Sequence, residues 1–97
     1  MKIQELQKAI QPLMKYELFT VRQLAFLLKL QQAGGDTDAG AIRQSLGIGR
    51  PAASRALDSL GQKQLITRMR SEKDRRFCNV KITDEGSALV QKLCGGT

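Results

Sequence analysis

At 97 residues the chain can build one small core but not a cleft between domains, and it contains no His and only two Cys, which lack CxxC spacing. These features set aside the usual zinc site, a disulfide scaffold and His-based acid–base catalysis, and no apolar run approaches the roughly 20 residues that span a bilayer. The net charge of +7 is unevenly placed: from Arg43 to Lys81 ten basic residues meet three acids, while elsewhere six meet six, the distribution expected of a face that binds a polyanion.

The opening MKIQELQK has no signal-peptide core, so a soluble, cytoplasmic protein with no membrane partner is expected. Ile3, Leu6, Ile10 and Leu13 recur at spacings of three and four and predict an amphipathic first helix, bent or ended near Pro12. Its apolar stripe needs a cover, which either the rest of the domain or a second subunit can supply. Thr20 and Gln23 match a capping box, and Val21, Leu24, Ala25 and Leu28 predict one face of a second helix, widened by Phe26, Leu27 and Leu30. Gly34-Gly35 should end it.

Thr37 or Asp38 can cap a third helix reaching about Leu46, with Ile42, Leu46 and Ala41 as inward positions. Gly47-Ile48-Gly49 makes a tight turn, and Pro51 suits the first turn of a fourth helix over 50–62. In that helix Ala53, Ala56, Leu57 and Leu60 form a buried stripe, leaving Ser54, Arg55 and Asp58 outward. Leu65–Met69 and Phe77–Ile82 predict two antiparallel strands around the charged stretch RSEKDRRF, and Thr83 caps a last helix from Asp84 to about Leu93. The residues after it, from Cys94, are expected to form a frayed tail. The expected fold class is mainly α with a small β-hairpin, in a single domain.

A helix pair joined by a tight turn and followed by a basic hairpin has a mechanical meaning. A helix-turn-helix sets its second helix in the major groove, where residues near that helix's N-terminus reach base edges. Here these are Arg50, Ala52, Ser54 and Arg55. Arg binds guanine in a bidentate manner, Ser bonds phosphate or base, and an Ala methyl touches a thymine methyl. Free backbone N–H groups from Gly49 to Ala53 offer a phosphate site. The hairpin tip, with Arg70, Lys73, Arg75 and Arg76, would meet the adjacent minor groove.

The stretch GIGRPAASRALDSLGQKQLITRMRSEKDRRFCNVKITDEGSALV, residues 47–90, resembles the winged helix-turn-helix of the multiple-antibiotic-resistance regulator (MarR) family of bacterial transcription factors. The matching parts are the GIGRPAASRALDSL helix, QLITR, DRR and KITDEGSALV, in that order, and the likeness extends more loosely back to about Thr20. The resemblance implies a regulator, most simply a repressor, bound to double-stranded DNA. It also implies that Arg76 enters the minor groove, that Asp74 orients it, and that Lys73 and Arg75 serve nearby phosphates.

The chain departs from the family in ending soon after the first C-terminal helix begins. A reduced homodimer built from Ile3, Leu6, Ile10, Leu13, Leu89 and Leu93 stays open beside a monomer or a different partner, and because the family's phenolic-ligand pocket lies between its dimerisation and DNA-binding regions, the resemblance does not extend to a small-molecule effector here. No cofactor, metal or enzymatic activity is expected. Cys78 alternates with Val80 and Ile82 and should face the core, while Cys94 is left open between inert and reactive. The alternative function is a protein-interaction module, an adaptor or antirepressor that docks an acidic partner.

Overall fold

The computed structural model describes residues 2–70 and 78–94. Among the described residues five helices and three strands follow in the order α1 (Ile3–Ile10), a single 3-10 turn (Gln11–Leu13), α2 (Val21–Gln32), β1 (Asp36–Asp38), α3 (Ala39–Leu46), α4 (Arg50–Gln62), β2 (Ile66–Arg70), β3 (Cys78–Ile82) and α5 (Asp84–Leu93). Among the described residues no helix is long and apolar enough to cross a membrane.

Local chemistry marks most boundaries. The Thr20 hydroxyl accepts the Gln23 N–H at 3.1 Å to start α2, the Asp38 carboxylate accepts the Gly40 N–H at 3.2 Å to start α3, and the Thr83 hydroxyl accepts the Gly86 N–H at 3.0 Å to start α5. Pro12 falls in the first turn of the 3-10 segment, so α1 ends at Ile10. Two glycines with positive φ, Gly34 at 97° and Gly35 at 88°, close α2, and the Gly35 N–H returns to Leu30 O at 2.9 Å.

The core lies where α2, α4 and α5 meet the inner face of the sheet. Phe26, Leu27 and Leu30 from α2, Leu60 from α4, Leu65 and Val80 are almost fully buried, with Ala53, Ala56 and Leu57 completing the inward stripe of α4. The face of α2 differs from expectation. Val21 is 83% exposed and Leu28 is also exposed, while Gln23, Phe26, Leu27 and Leu30 are buried. Apolar residues lie nearly all round this helix, so its own periodicity left the inward direction open, and packing against α4 and α5 chose it. In α3 the buried partner of Ile42 is Ala39, and Ala41 faces solvent.

The hairpin has a third strand that its sequence hid. All pairings are antiparallel and the strand order is β1-β3-β2, with Thr37 opposite Val80 and Arg68 opposite Val80 on the other side. The segment Asp36-Thr37-Asp38 shows no apolar alternation, and its place on the sheet is set by pairing with β3. Leu65 precedes β2 and is wholly buried, so β2 begins one residue later than expected; Phe77 and the side chain of Cys78 lie outside the described residues.

The joint between α4, β2 and α5 is tight. Gln64 takes a positive φ of 62°, its carbonyl accepts the Thr83 hydroxyl at 2.7 Å, and Thr83 N donates to Leu65 O at 3.0 Å. Thr83 thus caps α5 and ties it to the end of α4 at once. Gly86 lets the first turn of α5 lie on this joint, since a Cβ there would stand 2.3 Å from Leu65 O and 2.7 Å from Ile82 Cγ1.

Candidate nucleic-acid interface

The turn between α3 and α4 is held from both sides of one residue. Gly47 adopts a left-handed φ of 68°, Ile48 N donates to Arg43 O at 3.3 Å, and the Arg43 guanidinium Nη1 donates back to Ile48 O at 3.1 Å. Arg43, one of the ten basic residues of the charged region, therefore spends its side chain on the geometry of the turn. Ile48 and Leu46 are half-buried against the core, and α4 leaves the turn in a fixed direction.

Gly49 is the N-cap of α4 with extended backbone and no side-chain bond, and the N–H groups of Arg50 and Ala52 have no protein acceptor among the described residues. Pro51 has no N–H to offer. Ala53 is a correction to the phosphate-facing N–H groups: its N–H already donates to Gly49 O at 3.0 Å, while its side chain, 4% exposed, is buried as its stripe requires. The buried stripe begins one residue after Ala52, so the Ala53 side chain supplies core contacts.

Arg50, Ser54 and Arg55 are exposed and Ala52 is half-buried, all on the outward side of α4. Arg50 and Arg55 have no acidic partner among the described residues. An open groove runs between this face and the start of α2, lined by Leu18, Val21, Arg22, Ala52 and Arg55. Arg22 thus joins the basic face from a helix that the charge count had set aside. The residue spacing in α2 held no signal for it, because the approach of Arg22 to α4 depends on how the two helices cross.

Two other basic side chains prove to be occupied, and a third stands on the sheet. Lys63 Nζ donates to Ser59 Oγ at 2.6 Å and to Gln23 Oε1 at 3.1 Å, and it lies 5.4 Å from the centre of the Phe19 ring. It satisfies a buried glutamine and bridges α4 to α2; burial holds its ammonium below the ordinary lysine pKa. Arg68 Nη2 contacts Asp58 Oδ1 at 2.5 Å, an ion pair between β2 and α4. Lys81 is exposed on β3, opposite Asp36 and Thr67.

The backbone of Arg70 ends β2, paired with Cys78, whereas Lys73, Asp74, Arg75 and Arg76 lie outside the described residues, as does the tail 95–97. Of the residues expected at a subunit interface, Ile3, Leu6 and Ile10 are exposed. Leu13 and Leu93 pack partly against the core and Leu89 is buried within it, so Leu89 is already covered by its own chain. Cys94 is an exposed free thiol, and among the described residues no cluster of His, Cys, Asp or Glu has the arrangement of a metal site.

The MarR family model matches residues 19–77. The curated HTH-type transcriptional regulator YhbI of Bacillus subtilis, itself uncharacterized, is 33% identical over 73 residues, which cover 75% of this chain and 47% of that protein. Among solved structures, the YusO protein from Bacillus subtilis is 27% identical with a TM-score of 0.75, covering 96% of this chain and 64% of its own. A mutant of MepR from S. aureus, bound to an oligodeoxyribonucleotide, is 29% identical with a TM-score of 0.76, covering 95% of this chain and 67% of its own. The chain thus spans about half the length of YhbI. Its helix-turn-helix, antiparallel three-stranded sheet and capping α5 are a winged helix, and the chain belongs to the MarR family of transcriptional regulators.

Proposed function

We propose that the protein is a sequence-specific, double-stranded DNA-binding regulator of transcription, acting as a repressor in the cytoplasm. In this reading α4 enters the major groove with Arg50, Ala52, Ser54 and Arg55, and the wing, residues 70–77, reaches the minor groove with Arg76 oriented by Asp74. Arg70, Lys73 and Arg75 bind flanking phosphates. The single observation that carries the reading is the division of α4 into a buried stripe and an outward face whose Arg50 and Arg55 have no acidic partner among the described residues. The MepR structure bound to an oligodeoxyribonucleotide supports it, because this chain shares that protein's fold over 95% of its length.

The exposed Ile3, Leu6 and Ile10 support a homodimer as the DNA-bound form, with half-sites about 10 base pairs apart. A random duplex pool passed over the pure protein tests the reading, followed by titration of the selected site across a salt series. The expected log K falls with log salt by about 0.9 per phosphate contact. Arg55→Ala flattens sequence preference, whereas Lys73→Ala weakens all duplexes alike. Failure to retain any duplex at low salt overturns the proposal and leaves the basic face to an acidic protein partner.

A further inference from the structure

Arg68 occupies an unexpected position on its strand. Ile66 pairs with Ile82 and Arg68 with Val80, and alternate residues share a face, so these four side chains lie on one side of the sheet. Ile66 and Val80 are buried there. Arg68 therefore stands where alternation calls for another apolar residue, at the edge of the core beside α4. Its partner Asp58 is the only acid between Asp38 and Glu72, within the most basic part of the chain. Asp58 follows Arg55 by three residues and Ser54 by four, which places it on their side of the helix.

Neither affinity nor folding explains the pair. A carboxylate on a face that meets phosphates opposes binding, and an ion pair whose side chains are 37% and 54% exposed adds little to stability. Its geometry is specific: at 2.5 Å it joins the middle of α4 to the strand that leads toward the charged stretch 71–77. We propose that Asp58 and Arg68 are positioning residues that hold the β2–β3 hairpin at one distance and angle from α4, so that helix and hairpin meet the duplex in a single register. The assignment rests on the DNA-reading function proposed above. It adds a determinant of specificity that touches no base.

Asp58→Ala in the full chain separates this role from simple charge, because the two have opposite signs. If Asp58 acts only as a charge, its removal tightens binding to every duplex by a similar factor. If it positions the hairpin, the variant loses discrimination even though its net charge is more favourable. The expected loss is at least about fivefold between the selected site and sites altered, or lengthened by one base pair, just outside the bases that α4 reads. Asp58→Glu keeps the pair and should retain most of the discrimination. The exchange Asp58→Arg with Arg68→Asp restores an ion pair at unchanged net charge and should recover much of it.

Thermal melting of each variant, run in parallel, separates lost folding from lost register. Undiminished discrimination by a folded Asp58→Ala, or uniform tightening, overturns the positioning role while DNA reading stands. A wild-type protein that binds no duplex removes both.

Discussion

The first and fourth helices carry the same kind of apolar stripe, yet only one of them is covered. In α4, Ala53, Ala56, Leu57 and Leu60 are all buried, whereas α1 buries no residue, with Ile3 at 76%, Leu6 at 51% and Ile10 at 43% exposure. Spacing at three and four shows that a face wants cover and says nothing about what provides it. For α4 the cover is α2 and β2; α1 touches α5 without burying a residue, and only Leu13 and Tyr16, which follow α1, pack against the core. The difference teaches that amphipathicity is a demand and burial is an answer. It also marks α1 as a helix whose apolar face is left uncovered by its own chain among the described residues.

The contrast can be tested by substitution, beginning with the largest effect. Leu60→Ala empties a wholly buried site at the centre of the α4 stripe and should cost about 2–5 kcal/mol in a urea melt. A loss well under that range would mean that α4 is not packed as described. Gly86→Ala comes next, with an expected cost of about 1–3 kcal/mol. Alanine's better helix propensity, worth roughly 1 kcal/mol, is outweighed because its Cβ meets the backbone carbonyl of Leu65 and that atom cannot step aside.

Thr83→Ala removes the cap of α5 and the bond to Gln64 O together, and should lower stability by about 1–2 kcal/mol. Leu6→Ser sharpens the comparison from the other side. It should change the stability of the protomer by less than about 0.5 kcal/mol. In light scattering across a dilution series it should nevertheless shift the mass toward the monomer, if the α1 stripe is a subunit contact. Unchanged assembly in that variant would leave the homodimer without its main support.

Much of the molecule was legible before folding because its signals are local. Thr20, Asp38 and Thr83 serve as caps within three residues of the N–H groups they accept, and Gly47 closes its turn through its own φ. The inward stripe of α4 was equally plain, since its other side is polar. Where a helix is apolar nearly all round, as α2 is, the pattern loses its direction; thus Val21 and Leu28 proved exposed and Gln23 buried. The strand β1 escaped because three polar residues have no strand pattern of their own and acquire one only by pairing with β3.

For the candidate interface the division is sharper. Composition located the positive charge in the middle and late chain but could not say how each cation is employed. Arg43 braces the turn, Lys63 satisfies Gln23 and Ser59, and Arg68 holds Asp58, while Arg50 and Arg55 face outward and Arg22 joins them from α2. By itself the chain of residues determined the helices, their caps, the buried stripe of α4 and the sign of the surface, since each depends on groups a few positions apart. Tertiary structure alone decided which face of α2 turned inward, which cations were left without an acidic neighbour among the described residues and how β2 was tied to α4. Those outcomes depend on distances between elements far apart in the chain, which no local pattern encodes.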